Sequence, residues 1–218
     1  MGGLGDIIEN IPAIRVWEVA QRGEASIVDV RGHQDFAYGH PQGALSLPYS
    51  SKGLVTRLGL LLERGTSIVL LTANEEQDHG AGAQLRDGPF PVIGVLEGKM
   101  EAWSDHHLPI EELTGLSVYE LADLAATAKV TVLDVREPIE WELGHVPGAL
   151  LISLGDLRSH LYEIPRTTRI AVICEAGIRS SSAASILRAE GFPDVVNIPD
   201  GTGGYRNAGL PLEFFEGG

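Results

Sequence analysis

The chain contains one pattern twice. Asp29-Val30-Arg31 returns as Asp134-Val135-Arg136, Phe36 as the aromatic Trp141, Gly39-His40 as Gly144-His145, and Gly43-Ala44 as Gly148-Ala149, all at an offset of 105 residues. Farther along, Ile68-Val69-Leu70-Leu71 aligns with Ile170-Ala171-Val172-Ile173, Leu85-Arg86 with Leu187-Arg188, and Trp103 with Tyr205, at an offset of 102. Solenoid repeats recur every ~20–50 residues. A period twice that long is a domain period, so the 218 residues hold two tandem copies of one domain. The copies span residues 1–110 and 116–218. The short, not purely polar segment Leu108–Leu116 connects them and favours two packed domains over two beads on a flexible string.

Each copy opens on a helical pattern. Pro12 is placed for a helix start ahead of Ile14, Val16, Trp17 and Val19, and Ser117-Val-Tyr-Glu120 forms a capping box before Leu121 and Leu124. A strand follows in each, over 26–30 and 130–135. Short apolar strands then alternate with helical segments through both copies, which predicts an α/β fold with a parallel sheet and helices on both faces. Functional groups in such folds gather at the carboxyl ends of the strands.

The second copy places its chain's only cysteine at such an end. Ile170 to Ile173 is an unbroken apolar run of the kind a strand buried on both faces requires. Cys174 follows it. From Ser180 onward, Ala183, Ala184, Ile186 and Leu187 give a buried helical stripe that Gly191 is placed to stop. The thiol therefore stands on a strand–loop–helix turn, where the first helix amides lack intrahelical acceptors and carry the positive end of the dipole. Gly177 lets the backbone turn, and Arg179 adds a permanent positive charge. Such a cradle suits an anion and favours a negatively charged sulfur. A small buried hydrophobe at a strand end is the other reading of a lone cysteine; the Gly and Arg spacing and the helix favour the chemical one.

The segment Cys174-Glu175-Ala176-Gly177-Ile178-Arg179-Ser180 resembles the active-site loop of the rhodanese (sulfurtransferase) family. Asp134-Val135-Arg136, Trp141, Gly144 to Ala149, Gly203-Gly204-Tyr205 and Ala208 to Pro211 match that family's landmarks in order, over about residues 116 to 213. The resemblance implies two tandem rhodanese-like domains. It also implies sulfane-sulfur transfer through a persulfide on Cys174, from a small anionic donor such as thiosulfate to cyanide or a thiol, with a sulfur-accepting protein as a further partner. Glu175 to Ser180 would supply the anion-binding loop, with Arg179 on the donor or bracing the loop. Arg136 could face the site or pair with Asp134 or Glu140. Ser180 to Ser182 could cap the helix or touch substrate, capping being the commoner use, and Glu175 is expected to point to solvent.

Aligned with this loop, the first copy offers Thr72-Ala73-Asn74-Glu75-Glu76-Gln77-Asp78. Thr72 replaces the cysteine, Glu75 the glycine and Gln77 the arginine, so the first domain is expected to be non-catalytic. Asp29 and Asp134, which recur in both copies, are read as loop fasteners, and His40 and His145 as loop anchors.

Two other classes compete with sulfur transfer. Cysteine-dependent phosphatases and arsenate reductases also set Cys and Arg around an amide cradle, but with five intervening residues; here there are four, Glu175 to Ile178. A non-enzymatic persulfide carrier or redox-sensing module is the third reading, and Glu175 beside the nucleophile speaks against fast thiosulfate turnover.

A net charge of −14 argues against nucleic acid and anionic membranes as partners. It also means that Arg136, Arg179 and the loop amides must make a positive spot against the overall field. The single cysteine rules out an intrachain disulfide, and the histidines show no zinc spacing, so neither metal nor other cofactor is expected; His106-His107 is read as a polar turn. The start Met1-Gly-Gly-Leu-Gly-Asp6 lacks a basic region and an apolar core, and a cytoplasmic location is expected.

Overall fold

The computed structural model describes residues 8–214; the start of the chain, read above for a leader pattern, lies outside them. The chain forms two compact units, Met1–Glu112 and Leu113–Gly218.

The first unit runs β1 (Asn10–Ile11), α1 (Ala13–Gln21), β2 (Ser26–Asp29), α2 (His33–Tyr38), β3 (His40–Pro41), β4 (Leu45–Ser46), α3 (Leu54–Leu61), β5 (Ile68–Leu71), α4 (Glu75–Leu85), β6 (Val92–Leu96), α5 (Lys99–Asp105) and β7 (Ile110–Glu111). Its main sheet has the order β1-β6-β5-β2-β4, with all pairs parallel. Every residue of β5 is fully buried, which is why its sequence is an unbroken apolar run.

The second unit runs α6 (Val118–Ala126), β8 (Val130–Asp134), α7 (Pro138–Trp141), β9 (Leu150–Leu151), a 3₁₀ helix (Leu157–Glu163), β10 (Arg169–Ile173), α8 (Ile178–Ala189), β11 (Val195–Asn197) and α9 (Gly201–Asn207). Its sheet, β11-β10-β8-β9, is also parallel throughout. Both units are thus α/β, as the alternating pattern predicts. The Ser117–Glu120 capping box is formed reciprocally, the Ser117 amide donating to Glu120 Oε2 at 2.8 Å and the Glu120 amide to Ser117 Oγ at 3.2 Å. His106 and His107 close α5 in a turn, His107 with φ 51°.

Each end of the connecting segment pairs within its own unit. Ile110 and Glu111 pair antiparallel with Pro41 and His40 of the first unit, whereas the Leu116 amide and the Thr114 carbonyl hydrogen-bond to Asn197 of the second at 2.9 Å each. Among the described residues no helix is long and apolar enough to cross a membrane, and no cluster of His, Cys, Asp or Glu is placed to hold a metal ion.

The Asp-x-Arg repeat has the same structure in both units. Arg136 donates through Nε and Nη2 to the Asp134 carboxylate at 3.0 and 2.7 Å and through Nη2 to the Gly144 carbonyl at 2.9 Å. Arg31 makes the matching bonds to Asp29 at 3.0 and 2.6 Å and to Gly39 at 2.7 Å. Each arginine ties a strand end to the loop eight residues on, so both aspartates fasten loops. The histidines after those glycines anchor the same loops: His40 Nδ1 lies 2.7 Å from the Phe36 carbonyl and His145 Nδ1 3.3 Å from that of Trp141.

Candidate active site

Cys174 follows the last residue of β10 and is 1% exposed. Four residues later α8 begins, entered through Gly177 in a left-handed conformation, φ 78°. A Cβ at Gly177 would stand 2.3 Å from the Pro199 carbonyl oxygen, so only glycine meets both the conformational and the steric demand. Residues 180–187 of α8 are all buried, and its serines and alanines let it sit inside the unit. Ala176 and Ile178 are exposed and Glu175 and Arg179 partly so. The loop is therefore at the surface while its thiol is not.

The loop's carbonyls are held from outside. Cys174 O accepts from the Thr202 amide at 2.7 Å, Glu175 O from the Gly203 amide at 3.1 Å, and Gly177 O from Asn197 Nδ2 at 3.3 Å. Peptide planes fixed in this way leave the opposite edges for the N–H groups. Among the described residues, none accepts a hydrogen bond from the backbone N–H of Glu175 to Ser180. Gly201 permits the close approach: with φ 61°, a Cβ there would meet the carbonyl oxygens of Glu175 and Cys174 at 2.3 and 2.4 Å.

Three expectations about side chains change. Ser180 does not cap α8, whose N-cap is Gly177; its hydroxyl lies within hydrogen-bond reach of the thiol, 3.4 Å from Cys174 Sγ. Glu175 does not simply point to solvent: Oε1 accepts from Arg206 Nη2 at 2.5 Å, and Oε2 lies 3.9 Å from Arg136 Nη1. Arg136 and Arg179 do not make a free positive spot. Arg136 is paired with Asp134, and Arg179 donates both ends of its fork to Glu140, at 2.5 and 2.7 Å. That pair holds the Glu140 carboxyl down at about 2, against an ordinary 4.5, and raises Arg179 above its ordinary value. Glu140 is therefore a carboxylate throughout the neutral and mildly acidic range. Arg136 keeps one unsatisfied group, since its buried Nη1 has no hydrogen-bond partner.

In the first unit the equivalent cradle is filled from within. α4 begins one aligned position earlier than α8, at Glu75, and is capped by Asn74, whose Oδ1 accepts from the Gln77 amide at 3.0 Å. Gln77 Oε1 in turn takes the Ala73 amide at 2.9 Å. Lys99, at the position aligned with Gly201, keeps the left-handed backbone, φ 54°, but sends its ammonium to Thr72 Oγ1 at 2.7 Å and to Asp78 Oδ1 at 2.6 Å. Thr72 also donates to Asp78. The carboxylate beside Thr72 is thus Asp78, aligned with Ser180, rather than Glu75 or Glu76.

Sequence reasoning missed Arg206, Gly201 and Lys99, and considered Glu140 as a partner of Arg136 rather than of Arg179. The Gly201–Lys99 contrast was available at the 102-residue offset, as was Ser104 opposite Arg206. Glu140 gave no such signal, because the first copy also has an acid, Asp35, at the aligned position.

A parallel α/β unit whose single buried cysteine sits on a strand–loop–helix turn defines a class of cysteine-loop proteins. Within it, the rhodanese-like domain model matches this chain twice, over residues 14–106 and 117–208. The chain belongs to the rhodanese-like domain family. A sulfurtransferase of Allochromatium vinosum is 32% identical over 94 residues, which are 43% of this chain and 88% of that protein. YrkF of Bacillus subtilis (strain 168), named as a candidate sulfur carrier protein, is 38% identical over 72 residues, 33% of this chain; the match spans only 39% of YrkF. Among solved structures, a rhodanese-related protein of Thermoplasma volcanium is 29% identical and superposes with a TM-score of 0.43 over 46% of this chain and 97% of its own.

Proposed function

We propose that the second unit is a sulfurtransferase that carries sulfane sulfur as a persulfide on Cys174, taking it from thiosulfate or a related donor and passing it to cyanide or a thiol. The observation that carries this reading is the set of unengaged amides from Glu175 to Ser180 around the one cysteine of a rhodanese-like domain. With thiosulfate, the Cys174 thiolate attacks the outer sulfur, the S–S bond to the sulfonate breaks, and sulfite leaves with the electron pair. A persulfide anion remains. Cyanide then attacks its terminal sulfur, giving thiocyanate and restoring the thiolate. The amides stabilise negative charge on sulfur in both half-reactions, as preorganised donors do for an oxyanion. The relative named a sulfurtransferase and the one named as a candidate carrier both fit this chemistry.

A phosphatase would use the arginine fork on phosphoryl oxygens. Here the fork is given to Glu140, which favours sulfur transfer. Mass spectrometry after exposure to thiosulfate, beside assays of thiocyanate formation and aryl-phosphate hydrolysis, tests the reading. One added sulfur on Cys174 supports it; phosphate release without sulfur uptake would replace it.

Arg179 braces the loop through Glu140 in this reading. Arg179→Lys keeps the charge but not the fork, so kcat/KM for sulfur transfer is expected to fall roughly tenfold. Glu140→Gln should reproduce that loss. A lysine variant equal to the wild type would reduce Arg179 to a source of charge.

The first unit is expected to stay inert when given a nucleophile. With Asn74 and Gln77 already engaging the Gln77 and Ala73 amides, Thr72→Cys in a Cys174→Ser background should show no thiocyanate formation above background. Wild-type turnover from that double variant would mean that only the nucleophile had been lost.

A further inference from the structure

The cations around the Cys174 loop are already matched by carboxylates of this chain. Arg136 is paired with Asp134, Arg179 with Glu140, and Arg206 with Glu175. Two of these pairs are positional necessities, since Asp134 fastens a loop as its counterpart does in the first unit and Glu140 braces α8. The third is different. Glu175 is the residue next to the nucleophile, its side chain is 42% exposed, and it reaches back between two guanidinium groups. Arg136 Nη1 and Arg206 Nη1 are buried and lack hydrogen-bond partners, and Glu175 Oε2 lies 3.9 Å from the first of them. An anion lodged between two under-satisfied arginines, on the residue next to the cysteine, competes with a donor's oxyanion for both of them.

Resting on the sulfur-transfer reading, we infer that Glu175 is a specificity-determining residue, a built-in anion that holds Arg136 and Arg206. It thereby directs the site toward donors whose sulfane sulfur is attached to an uncharged group, organic or protein-borne hydropersulfides, ahead of thiosulfate. For such a donor, R–S–SH, the Cys174 thiolate attacks the outer sulfur, the bond between the two donor sulfurs breaks, and R–S⁻ leaves. Cys174–S–SH remains, with no net oxidation and no other reactant. Such a leaving group brings no sulfonate that must displace Glu175 from Arg206. The surface beside the Arg179–Glu140 pair agrees, since Ile178 and Ile139 are apolar and 43% and 68% exposed. An uncharged or protein-borne donor meets those residues without the desolvation that an oxyanion suffers.

The test compares two donors, thiosulfate and 2-hydroxyethyl hydropersulfide, with cyanide as acceptor, in the wild type, Glu175→Gln and Glu142→Gln. The readout is the ratio of kcat/KM for thiosulfate to that for the hydropersulfide, which cancels any general disturbance of the loop. In Glu175→Gln that ratio is expected to rise by about tenfold or more, through a lower KM for thiosulfate, as charge-assisted contacts to Arg136 and Arg206 become available. Glu142→Gln, two residues beyond Glu140 at the exposed end of α7, removes an equal charge and should leave the ratio within about twofold. An unchanged or lower ratio in Glu175→Gln, or an equal rise in Glu142→Gln, overturns the assignment. Mass spectrometry of Cys174 in the same samples separates this from the parent reading: sulfur loading with an unmoved ratio sinks only the role of Glu175, whereas no loading from either donor sinks sulfur transfer itself.

Discussion

Cys174→Ser is expected to abolish sulfur transfer while leaving the fold intact. The thiol is fully enclosed but small, and Ser180 Oγ, at 3.4 Å, can hydrogen-bond a hydroxyl as readily as a thiol. Nothing in the packing distinguishes the two side chains by more than the size of one atom. The chemistry does distinguish them: a hydroxyl is a far weaker nucleophile at neutral pH and cannot hold a transferable sulfane sulfur. Loss of a nucleophile that acts within a preorganised site costs on the order of a thousandfold or more. The measurement is thiocyanate formation together with intact-protein mass after exposure to donor, with circular dichroism and the thermal midpoint as controls for folding. A serine variant that still gains sulfur would move the nucleophile elsewhere, and with no second cysteine in the chain it would end the persulfide reading.

The architecture was legible because it is written in local signals. Ile68 to Leu71 and Ile170 to Ile173 are apolar on every residue, which only strands covered on both faces tolerate, and the capping box at Ser117 marks the start of α6. The loop was legible for a related reason: cysteine, glycine and the helix that follows are within a few residues of one another, and Gly177 is glycine because of its backbone angle. The ion pairs were not legible. Glu140 and Arg179 are 39 residues apart in the chain, and Glu175 and Arg206 are 31 apart. A charged side chain can turn to solvent or to any neighbour that the fold supplies, so sequence position leaves its partner open. That is why Glu175 reads as a solvated acid in the sequence and as an intramolecular anion in the fold. The first unit shows the same limit in reverse. Its missing cysteine and glycine are plain in the alignment, and so is Lys99 opposite Gly201, but that contrast gains a meaning only when the turn at Gly201 is seen to approach the loop and the Lys99 ammonium to reach Thr72.

Gly177→Ala is expected to damage both stability and activity, and comparison with Gly148→Ala separates two causes that are usually mixed. Both glycines have positive φ, 78° and 70°, so alanine is strained at either position, by about 1–3 kcal/mol. At Gly148 a new Cβ would meet nothing within 4 Å, and the strain is the whole effect. At Gly177 the same atom would be 2.3 Å from the Pro199 carbonyl oxygen and 2.9 Å from Pro199 Cα, both backbone atoms that cannot rotate aside. Relief requires the segment from Cys174 to Ile178 to move away from the turn at Pro199. Such a shift lengthens the Asn197–Gly177 hydrogen bond and pulls the Glu175 carbonyl from the Gly203 amide. In the proposed sulfur-transfer site, the amides on the other side of those peptides then lose the geometry that stabilises charge on sulfur. A displacement of about 1 Å in a preorganised site costs on the order of a hundredfold in rate. Gly177→Ala should therefore lower the thermal midpoint by at least about 4 °C and kcat/KM by about a hundredfold, while Gly148→Ala lowers the midpoint alone. Equal activity in the two variants would show that the loop tolerates movement and that the cradle's geometry contributes little to the reaction.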